Sequence, residues 1–238
     1  MMSYLHGGYE CLICGKKTFY FPICKKCRND YFSVEKSLQK ERCSICGKEL
    51  ISIKNKCMEC RESQTLFHLD KMIPLFSYRL WNKNLLFLWK IEGMRIFSKF
   101  FCDLVYQALI LERIDYVVPI PPRPGKIREN GWDQIDELCS FLQAFYKVKI
   151  IRLLERKSKI QQKKLDRNER LSSIESSYYL VSQKKIKKIM KKEAALKEKR
   201  ICLVDDVCTT GATLESCSKI LKDFGLTYVS AITLFNVD

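Results

Sequence analysis

Apolar and polar positions in the last two thirds of the chain switch repeatedly between short continuous runs and helical spacing. Apolar runs predict strands over 72–78, 114–120, 148–154, 201–205 and 228–235, with a shorter one over 177–182. A helix begins over 84–89 and breaks or bends near Gly93. Next, Phe97, Phe100, Phe101, Leu104, Val105, Ala108 and Leu109 recur at i, i+3, i+4 and i+7, so 97–111 is a core-facing amphipathic helix. Further helices are predicted over 132–146, 183–199 and 212–224, and the polar stretch 155–177 reads as a loop. Strands alternating with helices predict an α/β fold on a parallel sheet, with ligands at the carboxyl ends of the strands.

The first sixty residues follow a different rule. Eight of the thirteen cysteines form four C-x-x-C pairs there: Cys11/Cys14, Cys24/Cys27, Cys43/Cys46 and Cys57/Cys60. Two thiolates at that spacing grip one tetrahedral ion, so four pairs suffice for two zinc sites. Sequential pairing puts Cys11, Cys14, Cys24 and Cys27 on one ion and Cys43, Cys46, Cys57 and Cys60 on the other; interleaved pairing satisfies the same spacing. A disulfide framework is the competing reading, but the first residues carry no basic and apolar leader. Cys102, Cys139, Cys202, Cys208 and Cys217 sit in apolar or helical contexts, as reduced thiols do, and a cytoplasmic setting is expected. The expected organisation is a zinc-ribbon-like module over 1–62 and an α/β domain over 63–238.

The strand over 201–205 ends on two acids and runs into a Thr/Gly turn that opens a helix: Asp205, Asp206, then Thr209, Thr210, Gly211, Ala212 and Thr213. Turn amides and a helix N-terminus direct positive dipole at a phosphate, and threonine hydroxyls add donors. The acids can accept from ribose hydroxyls or orient hydrated Mg²⁺. A Walker A loop needs Gly-Lys-Ser/Thr and a dinucleotide fingerprint needs three spaced glycines; neither fits. The segment resembles the phosphoribosyl pyrophosphate (PRPP) motif of type I phosphoribosyltransferases. The fold this implies is the type I phosphoribosyltransferase fold.

A second segment, from Val118 and Pro119 through Ile120, Pro121, Arg123, Lys126 and Arg128 to Gln134, places a proline-rich turn and cations after a strand. A third runs from Arg156 to Arg170 through Gln162, Leu165 and Arg167, and a fourth is Lys90-Ile-Glu-Gly93. With the cysteines these resemble the ComF (ComFC-like) family of competence proteins over nearly the whole chain. The resemblance implies that Pro119, Ile120, Pro121, Arg123, Lys126 and Arg128 form a pyrophosphate loop. It also implies a catalytic lid in which Arg156 and Arg170 act with Asp205 and Asp206, and Mg²⁺ bound with PRPP. Departures are Gly125 and Asn130 where the family carries arginine, Asp133 where it carries asparagine, and Ser173 and Lys159-Ile160 in the lid.

The net charge of +16 fits polyanionic partners. Eight thiolates and two Zn²⁺ would lower it to about +12. The resemblance implies handling of incoming single-stranded DNA with a helicase-like protein and a membrane channel. A nucleobase-salvage transferase with a purely structural zinc module is the alternative. Residues 183–199 read as an amphipathic basic helix, able to follow a nucleic-acid backbone or simply to solvate one face.

Overall fold

A computed structural model describes residues 8–50, 55–157 and 177–237. In the cysteine-rich part, β1 (Tyr9–Glu10) pairs with β2 (Lys17–Thr18), followed by α1 (Lys25–Tyr31), α2 (Val34–Leu38) and α3 (Met58–Glu62). The next elements are β3 (Lys71–Ser77), α4 (Trp81–Lys90), α5 (Ile96–Leu111), β4 (Tyr116–Pro119), α6 (Lys126–Asn130) and α7 (Gln134–Tyr146). They are followed by β5 (Lys149–Ile150), β6 (Leu154–Arg156), β7 (Tyr178–Leu180), α8 (Gln183–Lys192), β8 (Arg200–Cys208), α9 (Ala212–Asp223) and β9 (Tyr228–Asn236).

The centre is a five-stranded sheet in the order β3-β9-β8-β4-β5, with every pairing parallel. The expected mixed α/β architecture with a parallel core is therefore present. Because both faces are covered, β8 and β9 are largely buried along their length and have no exposed face. One face packs against α4, α5 and α7 through Trp89, Phe97, Phe101 and Leu138; the other carries Leu203, Leu214, Cys217 and Leu221. Each large apolar side chain buried this way contributes about 1.5–3 kcal/mol. The Trp89 indole donates to Ser98 Oγ at 2.8 Å, so its polar atom is satisfied inside the core.

The cysteine-rich part shares this core. Cys11, Ile23, Cys27, Phe32 and Val34 belong to the same apolar cluster as Phe97 and Phe101. Phe32 meets Phe76 and Phe100 with ring centroids 5.2 Å apart in each case.

Three expectations need correction. The strand expected over 148–154 is two strands in different sheets: β5 joins the parallel sheet through β4, whereas β6 pairs antiparallel with β7. The apolar-rich stretch, interrupted only by Lys149 and Arg152, did not reveal that the chain changes partner at residues 151–153. The helix expected over 183–199 ends at Lys192, and a 3-10 turn at Leu196–Glu198 leads into β8. The motif strand is longer than expected, extending to Cys208. Among the described residues, no helix is long and apolar enough to cross a membrane.

Candidate functional site

β8 keeps its register with β9 where its acids lie. Asp205 pairs with Thr233 and Val207 with Phe235, while the amide of Asp206 donates to Asp205 Oδ1 at 2.9 Å. Consecutive strand residues face opposite sides of a sheet, and the two carboxylates accordingly meet different surroundings. Asp206 is buried and accepts from Lys90 Nζ at 2.6 Å and Gln134 Nε2 at 2.7 Å. Lys126 Nζ bonds to the Gln134 side chain and lies 2.6 Å from Asp133 Oδ2. Asp133 also caps α7, accepting from the amides of Ile135 and Asp136 at 3.0 Å each. Burial lowers the Lys90 pKa, but Asp206 overcomes it and holds the ammonium above its ordinary value. Burial and then the Asp206 charge push Asp205 up to about 8.

A cleft of about 360 Å³ opens on this pair. Its walls include Lys90, Arg123, Lys126, Arg156, Tyr178 and Thr213. Ile120 and Pro121 also line it, whereas Pro119 lies within β4 and Arg128 within α6, neither against the cleft. The proline-rich segment closes into the short helix α6, bounded by left-handed Gly125 and Gly131. In it Arg123 is paired with Glu129. Arg156 stacks over the Tyr178 ring, 5.3 Å from its centroid. Arg167 and Arg170, with Lys159, Ile160 and Ser173, lie outside the described residues.

The turn of residues 209–213 begins at the end of β8. Gly211 has φ +77°, and a Cβ there would come 2.9 Å from Leu66 Cδ2. Only glycine holds this left-handed conformation without strain. Ala212 N reaches Thr210 Oγ1 at 3.4 Å, and Thr65 Oγ1 donates to Thr210 O at 3.3 Å. Among the described residues, nothing accepts from the amides of Thr209, Thr210 or Thr213. Residues 67–68, just before β3, strap the opening of α9: Glu215 accepts from the amides of Phe67 and His68 at 2.9 and 3.2 Å and meets His68 Nδ1 at 2.5 Å.

The cysteines gather as two separate sets, Cys11/Cys14/Cys24/Cys27 and Cys43/Cys46/Cys57/Cys60, with the ligand atoms of each within 4.8 Å of one another. The pairing is sequential. Cys14 and Cys24 sulfurs are 3.8 Å apart, and those of Cys46 and Cys57 are 3.6 Å apart. A tetrahedral ion with Zn–S bonds of about 2.3 Å separates its ligands by roughly 3.8 Å, while a disulfide would need about 2.05 Å. All thirteen cysteines are free. Both sets use one local plan: a knuckle turn closed by left-handed Gly15 or Gly47, then a cysteine at a helix start, Cys24 before α1 and Cys57 before α3. Backbone N–H groups hold Cys11 at about 6 and Cys43 at about 7, against the effect of burial. These residues fit Zn²⁺ in donor type, number and spacing.

Sequence reasoning placed the acid pair and the turn but not the tether on Asp206. Lys90 and Gln134 stood in segments carrying the family resemblance, yet nothing local marks them as partners of an acid on a distant strand.

The fold and these sites define a parallel α/β protein with an acid pair near the end of β8, a Thr/Gly turn leading into α9 and two four-cysteine clusters. No protein-family model matches the chain. It is similar to Competence protein ComFC of Streptococcus pneumoniae, 26% identical over 239 residues that cover 94% of this chain and 99% of that protein. It is also similar to Competence protein F of Haemophilus influenzae, 23% identical over 193 residues, covering 77% and 80% respectively. Together these similarities support a ComFC-like competence family for the chain.

Proposed function

We propose that the cleft beside Asp205 and Asp206 binds PRPP, with the 5-phosphate on residues 209–213, and that the protein serves a competence-related role in DNA uptake. The amides of Thr209, Thr210 and Thr213, which meet no acceptor among the described residues and lie beside Asp205 and the buried Asp206, carry this reading. A phosphate dianion supplies the acceptors those donors lack. Asp205 and Asp206 accept from the ribose hydroxyls, and Lys90, Arg123 and Arg156 line the cleft where pyrophosphate charge develops. Mg²⁺ bound with the donor would be oriented by Asp205 and Asp206 and would neutralise part of that charge.

In the transfer reading, a ring nitrogen attacks the anomeric carbon. The C–O bond breaks with its electron pair leaving on pyrophosphate, the C–N bond forms, and the nitrogen gives up its proton. Positioning and fixed charges supply the acceleration, with no protein nucleophile. Pyrophosphate release measured over a panel of nucleobases tests this: release with one acceptor supports transfer, and tight PRPP binding without release supports a sensor.

A second reading, handling of single-stranded DNA by the cysteine module and basic surface, is favoured by the net charge of +16. The salvage alternative gives the module a structural role only, and is favoured by the burial of Cys11 and Cys27 in the common core.

A further inference from the structure

A groove of about 360 Å³ runs between α8 and the short edge strand β5, away from the acid pair. Its floor is Ile150, Ile151 and Ile189, and its rim carries Arg152, Lys185, Lys188 and Lys192. The helix is strongly two-sided: Ile186 is buried and Ile189 and Met190 pack on the core, while its lysines are exposed. Lys185, Lys188 and Lys192 follow i, i+3, i+7 and so share one face, about one helical turn of ~5.4 Å between neighbours. That interval approaches the separation of successive phosphates along an extended strand. Lys185 and Arg152 are held by Glu155 and Asp136, each at 2.7 Å. Lys188 and Lys192 have no acidic partner among the described residues. Glu193, the acid at the end of the groove, is turned to the Tyr116 hydroxyl and lies 3.7 Å from Lys149.

The geometry points to a binding site for the phosphodiester backbone of a single-stranded nucleic acid along the α8–β5 groove, with Lys188 and Lys192 as its principal phosphate contacts. The inference rests on the strand-handling reading and assigns it a surface outside the cysteine module. Charge complementarity selects the polyanion, and the floor of isoleucines gives exposed sugars and bases an apolar surface that a duplex, with its bases stacked inside, does not use.

The test is fluorescence anisotropy of a labelled oligothymidylate at several salt concentrations. It compares wild type, Lys185→Gln/Lys188→Gln/Lys192→Gln, and a Lys83→Gln/Lys219→Gln control at exposed positions of α4 and α9. Glutamine retains helix propensity, and circular dichroism checks that α8 persists. The triple variant is expected to bind about ten-fold or more weakly at low salt. Its log–log salt slope should shrink by about 1.4 units, at roughly 0.7 for each of the two phosphate contacts. A single Lys188→Glu change should give a loss in the same direction. Wild-type binding with an unchanged triple variant overturns the groove alone. Wild type that ignores the strand at low salt overturns both the strand-handling reading and the groove, as does binding only to anionic vesicles.

Discussion

Lys90 Nζ lies 2.6 Å from Asp206 Oδ2, joining the end of α4 to an acid that sequence places more than a hundred residues away. Asp206 is nearly inaccessible, and this ammonium and the Gln134 amide hold its orientation. Removing the cation strands a buried carboxylate. Lys90→Met is therefore expected to destabilise the fold by about 2 kcal/mol, below fully buried pairs because Lys90 is about one third exposed. Lys90→Arg should recover most of the loss. Chemical denaturation of the three proteins measures both changes.

Asp205 gives a pH signature. Its folded pKa of about 8 lies above the ordinary carboxylate value, raised by burial and then by Asp206. The folded state therefore holds a proton that the unfolded chain releases near pH ~4. The associated stability is complete at low pH and is lost as pH rises through the folded value. Against wild type, Asp205→Asn should gain relative stability steadily between about pH 4 and 8, then level off. Thermal melts of both proteins across that range give the comparison.

Metal content separates the two cysteine sets. Zinc analysis should find two ions per chain, matching the two clusters. Cys60→Ser should reduce this to one, and Cys27→Ser should do the same while also disturbing the core that Cys27 shares with Phe97. Chelation should lower the melting temperature of the whole protein, because the first cluster contributes Cys11 and Cys27 to the principal core.

Gly211→Ala places a Cβ on a left-handed residue and 2.9 Å from Leu66 Cδ2. A loss of about 1–2 kcal/mol is expected from the backbone conformation alone. Leu66→Ala should relieve only the steric part. Ribose 5-phosphate binding should fall in Gly211→Ala and stay low in the double variant, read by ligand-induced shifts in melting temperature.

Local chemistry made much of this architecture readable from the chain. The apolar run ending on Asp205 and Asp206 marked β8, the helical spacing of Phe97 to Leu109 marked α5, and the four C-x-x-C pairs marked the metal sets. Knuckle spacing left their pairing open, since sequential and interleaved sets use the same residues; three-dimensional proximity of the sulfurs resolves it. Likewise, 148–154 reads as one apolar-rich stretch, and only pairing with β4 and β7 divides it. The partners of Asp206 were illegible because α4, α7 and β8 converge only after the sheet forms, and no periodicity encodes that meeting.

The most direct measurement is equilibrium binding of labelled PRPP to the zinc-loaded protein, competed with ribose 5-phosphate or with ribose. Saturable one-to-one binding is predicted, displaced by ribose 5-phosphate, unaffected by ribose, and strongly weakened by Thr209→Val/Thr210→Val/Thr213→Val. Absence of saturable PRPP binding with Mg²⁺ present, or equal displacement by unphosphorylated ribose, would contradict a phosphate seat in the turn after the aspartates.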